Sequence, residues 1–438
     1  MKISSPPHVN QTTPPSNLPI NNVLYAQAGG VTAVINASAA AVIEAVFANP
    51  NQFGTMYGAV NGIKGILEER LIDLSGLSSE PLTNIKYQPG AIFKACRFDL
   101  DPLEHNPEQY ARMLDIFKTY RIGTFLYNGG NGSMITAQKV GDYCRQHNHP
   151  VNCIGVAKTI DNDLAISHCS PGFGSAAKYL ASSFLEATLD TLSMHDTSTR
   201  FFVMETMGRN TGWLTLAAGL IQDIMPDVPL ILLPAERAFN QTAFLNKVQQ
   251  LINQKGYCVC AVSEGLRNQQ GDYLTIANIE HTPERDYTQL GGVGYSIAKL
   301  VSDTFDVKSH YAIPDYLQRS ASHLVSKTDW EMAYDAGVAA VEAAKQGLHG
   351  VLPIIQLKSE HPFEWQFKNV PLSEVANLEK TVPDEFISSD GMNLTPAALN
   401  YLRPLIQGER PVPFKNGLPD IPVIPFQEVV KQLPKFQA

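Results

Sequence analysis

Ala157-Lys158-Thr159-Ile160-Asp161-Asn162-Asp163 comes directly after residues 150–156, PVNCIGV. The short apolar run reads as a strand buried on both faces, because it shows no sustained alternation of polar and apolar residues. The segment after it has the opposite character, with a lysine, a threonine and two aspartates packed into a turn. A buried strand that ends in a charged turn is the grammar of a parallel α/β sheet, in which ligands gather beyond the carboxyl ends of strands. The same grammar recurs outward along the chain. Residues 23–28 run into Gly29-Gly30, residues 124–127 into Gly129-Gly130, and residues 201–204 into Met207-Gly208. Residues 230–233 and 258–262 are further strand-like runs. Helical patterns lie between them. Residues 31–47 are rich in Ala, Val and Ile and free of Gly and Pro, as suits a buried helix. Residues 175–192 carry apolar residues at helical spacing, and residues 330–345 are amphipathic with Ser326 or Thr328 as N-cap. Alternating buried strands and helices predict an α/β fold with mainly parallel sheets covered on both faces.

The chain has 438 residues, 44% of them hydrophobic and 17% charged. This is ordinary globular composition, and the length calls for two or three domains. The net charge of −9, from 33 basic against 42 acidic residues, argues against a general nucleic-acid or anionic-membrane binder. An anionic ligand must then be held by a few well-placed cations. The six cysteines, Cys96, Cys144, Cys153, Cys169, Cys258 and Cys260, form no CxxC pair and mostly sit in apolar runs. They read as buried free thiols of a reducing compartment. No apolar run reaches the ~20 residues of a spanning helix. Residues 1–19 are rich in Pro, Ser and Asn and lack the apolar centre of a signal peptide, so a disordered arm and a cytoplasmic location are expected. The Pro-rich tail from Pro411 is expected to wrap the surface.

Three turns carry the chemistry. In Gln27-Ala28-Gly29-Gly30-Val31-Thr32, two glycines let the backbone approach a ligand, and the helix beyond them offers free N–H groups to phosphate. A tight turn without a ligand explains that segment equally well. Asn128-Gly129-Gly130-Asn131-Gly132-Ser133 is harder to explain as a plain turn, and suits close approach to a polyphosphate. In the third turn, one aspartate can accept a hydroxyl proton while the other holds Mg2+ through water. Lys158 adds a compact positive charge for a transferring phosphoryl group. A solvated polar turn is the bland alternative.

These segments, with four others, resemble the motifs of the phosphofructokinase family. The others are Pro171-Gly172-Phe173-Gly174-Ser175, Met207-Gly208-Arg209-Asn210-Thr211-Gly212-Trp213, Ser263-Glu264-Gly265 and Tyr316-Leu317-Gln318-Arg319. The resemblance implies two Rossmann-like three-layer α/β domains with the active site in the cleft between them. It implies Mg2+-dependent transfer of a phosphoryl group to the 1-hydroxyl of fructose 6-phosphate, a glycolytic step. Asp161 would be the general base, with Lys158 and Arg209 also catalytic. Asn131 and Asp163 would hold the metal. Fructose 6-phosphate would meet Thr159, Ile160, Asp161, Met207, Gly208, Arg209, Glu264, Tyr316 and Arg319, together with Arg200 from a neighbouring subunit. The donor would meet Gly29, Gly30, Arg97, Gly130, Asn131, Gly132, Ser133 and Lys158. The implied assembly is a homodimer or homotetramer. A donor-binding domain would take residues 20–172 plus about 320–385, and a sugar-phosphate domain 173–319 plus about 386–438. An ordinary aspartate pKa of about 3.9 is low for a base, but a loose phosphoryl-transfer transition state needs little activation of the nucleophile.

Trp213 reads better as a packing residue than as a chemical one. His310 and His323 are given no role. Asp190, Asp196 and the acids within 280–286 read as solvated.

The donor is ATP or inorganic pyrophosphate. Pyrophosphate enzymes of the family carry Asp where this chain has Gly132, and that carboxylate would occupy the place of the α-phosphate of ATP. Gly132 therefore favours ATP. Lys158, the chain length and the YLQRSASH segment resemble the long proteobacterial pyrophosphate-dependent enzymes, which is the alternative. A dinucleotide-binding dehydrogenase fits the glycine turns but lacks a clean G-x-G-x-x-G and leaves the other motifs unexplained. A nucleotide or lipid kinase shares only the glycine loop. A non-catalytic sugar-phosphate-binding subunit is opposed by the intact Asp161 and Asp163.

Overall fold

A computed structural model describes residues 21–276, 278–282, 285–376, 378–421 and 424–436, with backbone only for the described residues of 278–288. The expected N-terminal arm and the acids of 280–286 lie outside the described residues or side chains. The strands in chain order are β1 (Asn21–Ala28), β2 (Phe53–Ala59), β3 (Leu71–Asp73), β4 (Ala95–Cys96), β5 (Ile122–Gly129), β6 (Asn152–Ala157), β7 (Phe201–Thr206), β8 (Leu230–Leu233), β9 (Cys258–Ser263), β10 (Asn278–Thr282), β11 (Arg285–Gln289), β12 (Ser309–Ala312), β13 (Val351–Ser359) and β14 (Glu364–Pro371). Apart from the separate antiparallel pair β10-β11, they form a large sheet of order β14-β13-β6-β5-β1-β2-β3, with β4 paired beside β1, and a smaller one of order β12-β7-β9-β8. The smaller sheet is parallel throughout. In the large one, antiparallel pairing is confined to the edge strands β3 and β14.

Each sheet is the middle of three layers. Along β1, Val23 and Tyr25 pack into one apolar cluster with the helices Ile35–Phe47 and Lys327–Lys345, while Leu24, Ala26 and Ala28 pack into another with Pro107–Thr119 and Asn131–Gln146. Side chains alternate across a strand, so a strand apolar at every position must be covered on both faces. Along β7, Phe202 and Met204 meet the helix Phe173–Met194, and Phe201 and Val203 meet Gln241–Lys255 and Val293–Phe305. The chain leaves the first unit through Phe173–Met194 and returns through Lys327–Lys345, whose Ser326 cap accepts from Asp329 N–H at 3.3 Å.

Two expectations are corrected. The helix expected over 31–47 begins only at Ile35, because residues 31–34 are needed to turn the chain away from the end of β1. The tail does not stay with the smaller sheet. The helix Pro396–Leu402 packs there, but residues 424–436 return to the large one. Val429 N–H donates to Leu71 O at 2.8 Å. The Phe426 ring lies 5.4 Å from that of Phe93. The buried carboxylate of Glu69 accepts from Tyr120 OH at 2.8 Å and Leu433 N–H at 3.0 Å. Covering the edge beside β3 and satisfying Glu69 draws the tail across. Among the described residues no helix is long and apolar enough to cross a membrane.

Candidate active site

The carboxyl ends of β1, β5 and β6 face those of β7 and β9 across a cleft of about 1080 Å3. Of the residues singled out by sequence, Gly29, Gly30, Arg97, Gly130, Asn131, Gly132, Ser133, Lys158, Thr159, Ile160, Asp161, Asp163, Met207, Arg209, Glu264, Tyr316 and Arg319 wall it. Gly208 lies just behind, its N–H donating to Glu264 Oε1 at 3.2 Å. Arg200 is not in the cleft of this chain. It stands before β7, where its Nε donates to Gly256 O at 2.9 Å.

The Asp161-Asn162-Asp163 turn is held from several sides. Asp161 N–H donates to Thr159 Oγ1 at 3.1 Å, and Asp161 O accepts from Thr211 Oγ1 at 3.1 Å. Between the two aspartates, Asn162 is fully buried with φ 55°, a left-handed conformation that asparagine tolerates better than most residues. Its Oδ1 accepts from Ser170 N–H at 3.0 Å, and its Nδ2 donates to Tyr401 OH at 2.8 Å. Below lies Lys380, a residue outside every motif of the sequence. Its Nζ donates to Ser167 O and His168 O, each at 2.9 Å, and its N–H donates to Asp163 O at 2.8 Å. Burial pushes the Lys380 ammonium down to about 8.

Burial and the neighbouring carboxylates of Asp163 and Glu264 push Asp161 well above the usual carboxylate range. The expectation of an ordinary aspartate pKa is corrected, and the shift moves Asp161 toward the range of a general base. Burial also raises Asp163. Asn131 Nδ2 donates to Asp163 Oδ2 at 3.1 Å, while Asn131 Oδ1 and Asp163 Oδ1 are buried with no hydrogen-bond partner. Two orphaned oxygens on side chains in contact fit a hard cation such as Mg2+. Among the described residues no group of three or more His, Cys, Asp or Glu side chains is placed to hold a metal. A cation here would keep waters and share ligands with a phosphate, as Mg2+ does.

Opposite stand three cations. Lys158 Nζ donates to Gly30 O. A Cβ added at Gly30 would come within 2.6 Å of the Arg319 guanidinium and 3.6 Å of that of Arg97, so any side chain there would push the Arg319 guanidinium aside. Arg319, expected with the sugar phosphate, lies beside the donor loop, its guanidinium 4.0 Å from the centre of the Tyr316 ring. Burial pushes Lys158 down to about 8, with Asp161 opposing the shift. An anionic donor favours its charged form. On the far wall, Glu264 is raised by burial. Trp213 packs, as expected: it is buried against Phe173 and Tyr401, and its Nε1 donates to Lys380 O.

Further cleft residues escaped the sequence reading: Asp99, Glu205, Asp315, Gln318 and Glu379. Gln318 sits inside a marked motif, and its Oε1 accepts from Met207 N–H at 3.0 Å. Asp99 lies two residues past Arg97, which was the available signal. Glu379 and Lys380 belong to a segment without a recognisable pattern.

Comparison with known proteins gives concordant matches. The family model described as Phosphofructokinase matches residues 22–344. A pyrophosphate–fructose 6-phosphate 1-phosphotransferase of Xanthomonas campestris pv. campestris is 45% identical over 417 residues, covering 95% of this chain and 99% of the relative. The enzyme of the same name from Methylococcus capsulatus is 44% identical over 402 residues, covering 91% and 94%. Among solved structures, a pyrophosphate-dependent phosphofructokinase from Nitrosospira multiformis superposes with a TM-score of 0.88 at 41% identity, covering 96% of this chain and all of that one.

Proposed function

The chain belongs to the phosphofructokinase family, and on that premise we propose that it transfers a phosphoryl group from inorganic pyrophosphate to the 1-hydroxyl of fructose 6-phosphate. The observation that carries the chemistry is the half-buried pair Asp161 and Asp163, with the orphaned Asn131 oxygen, facing Lys158, Arg97 and Arg319 across one cleft. In this reading the donor lies along the cations and the glycine loop, and the sugar lies toward Glu264 and Met207. Asp161 takes the 1-hydroxyl proton as the oxygen attacks in line, and Lys158 and Arg209 balance charge on the transferring group. Asn131 and Asp163 hold Mg2+, which when bound supplies charge neutralisation for the donor phosphates. The donor is pyrophosphate because the relatives that match over nearly the whole chain carry that name. These matches support the pyrophosphate alternative better than the preference for ATP drawn from Gly132. The same reading makes the protein a homo-oligomer, dimer or tetramer, in which Arg200 serves the neighbouring cleft; sedimentation of the purified protein reads the number of subunits.

The test is the initial rate of fructose 1,6-bisphosphate formation with Mg2+ and either donor. Turnover with pyrophosphate and none with ATP is expected. Turnover with ATP at a comparable rate would overturn the choice of donor, and no turnover with either would overturn the activity.

A further inference from the structure

Gly132 is the second residue of the helix Asn131–Gln146, and the space beside it is open but not empty of charge. A Cβ built there would have Asp99 Oδ1 as its nearest neighbour, at 3.7 Å. Asp99 comes from a different segment, just after β4, and its residue lines the cleft. Asp99 and Gly132 are both exposed to solvent where they line the cleft. We propose that Asp99 is a donor-selecting residue. Its carboxylate admits a donor of two phosphoryl groups and turns away one that continues into a third phosphoryl and a nucleoside. This inference rests on the pyrophosphate reading above.

The point of transfer sets the path of the donor. The reacting phosphoryl must lie within reach of Asp161 and of the oxygens of Asn131 and Asp163. The sugar fills the side toward Glu264. The donor therefore extends the other way, past Lys158 and Gly30 along the first turn of the helix. Gly132 lies one residue beyond Asn131 on that turn. The next anionic group of a longer donor enters the gap between Gly132 and Asp99. There it meets an acceptor-only carboxylate that offers a phosphate oxygen no hydrogen. A pyrophosphate stops short of the gap.

The experiment uses wild-type protein, Asp99→Asn and Asp99→Ala. It measures kcat/KM for MgATP and for magnesium pyrophosphate at saturating fructose 6-phosphate, and the shift of melting temperature by MgATP alone. Asn keeps the shape and removes the charge. The expected result is that the ratio of ATP to pyrophosphate kcat/KM rises at least about tenfold in Asp99→Asn, a size typical of relieved like-charge exclusion, with MgATP raising the melting temperature of the variant more than that of wild type. A wild type confined to pyrophosphate whose variants keep the ratio within about twofold would overturn the role of Asp99 and leave the donor reading intact. A wild type that already turns over ATP would overturn the donor reading, and the selector with it.

Discussion

At the scale of the residue, the site depends on two carboxylates, two positions apart, doing different work. Asp161 is raised by burial and by its acidic neighbours, which suits proton transfer. Asp163 shares an orphaned oxygen pair with Asn131, which suits a cation. Asp161→Asn removes the proton acceptor and keeps the volume. Turnover is expected to fall ~10²–10⁴-fold, with fructose 6-phosphate binding by calorimetry changed little. Near-normal turnover would remove Asp161 from the role of base. The types and spacing of these residues were legible from the sequence. The raised pKa was not, because its largest cause is desolvation, with Asp163 next and Glu264, distant along the chain, after it.

At the scale of the element, the turn is only as good as what holds it. The segment around Lys380 crosses beneath, through a bridge between Leu164 and Glu379 and the three Nζ hydrogen bonds of Lys380, the third to Asn162 Oδ1 at 3.3 Å. Lys380→Met leaves buried acceptors unpaired. A stability loss of about 2–3 kcal/mol in urea titration is expected. Displacement of the turn is expected to lower kcat at least about tenfold, while KM for fructose 6-phosphate moves much less. An unchanged kcat would show that the turn holds itself. A second device joins the two units. Asp329 accepts from Gly172 N–H at 2.9 Å and from Ser175 Oγ at 2.6 Å at the start of Phe173–Met194. Burial pushes it up to about 6 from 3.8. Between those values the native state holds a proton that the unfolded chain has released. The contribution is therefore fully present below pH ~4 and lost as pH rises through ~6, with a span of ~3 kcal/mol. Denaturation at pH 4 to 7 checks this: the stability of wild type relative to Asp329→Asn is expected to fall with rising pH across that window. A flat difference would mean that Asp329 titrates normally.

At the scale of the whole molecule, the tail closes the large sheet. Glu69 is buried, pairs with Arg112 at 3.6 Å and accepts backbone hydrogen bonds from the tail. Arg70 meets Glu428 at 2.7 Å on the surface. That exposed pair contributes little, ~0–1 kcal/mol. Truncation after residue 421 uncovers Phe93 and strips Glu69 of its tail donors. The expected loss is about 3 kcal/mol or more, read as a lower melting temperature, with kcat of the folded fraction retained because the tail does not wall the cleft. A melting temperature equal to that of the full chain would show the tail to be ornamental.

Runs of buried residues ending in glycine or charge fixed, by themselves, the alternation of strands and helices, the parallel sheets and the turns that carry the chemistry. These are local properties: periodicity, the freedom of glycine and the polarity of a turn are properties of neighbours in the chain. The tertiary structure alone decided what faces those turns. Asp99 beside Gly132, Arg319 against Gly30, Lys380 under Asp163 and the tail on Glu69 all join segments far apart in sequence. Gly132 read alone is an open space that favours ATP. With the carboxylate of Asp99 3.7 Å from where its Cβ would be, the same glycine lies in an acidic gap. Charge and burial act through space, and in this cleft the groups that set them arrive from several strands at once.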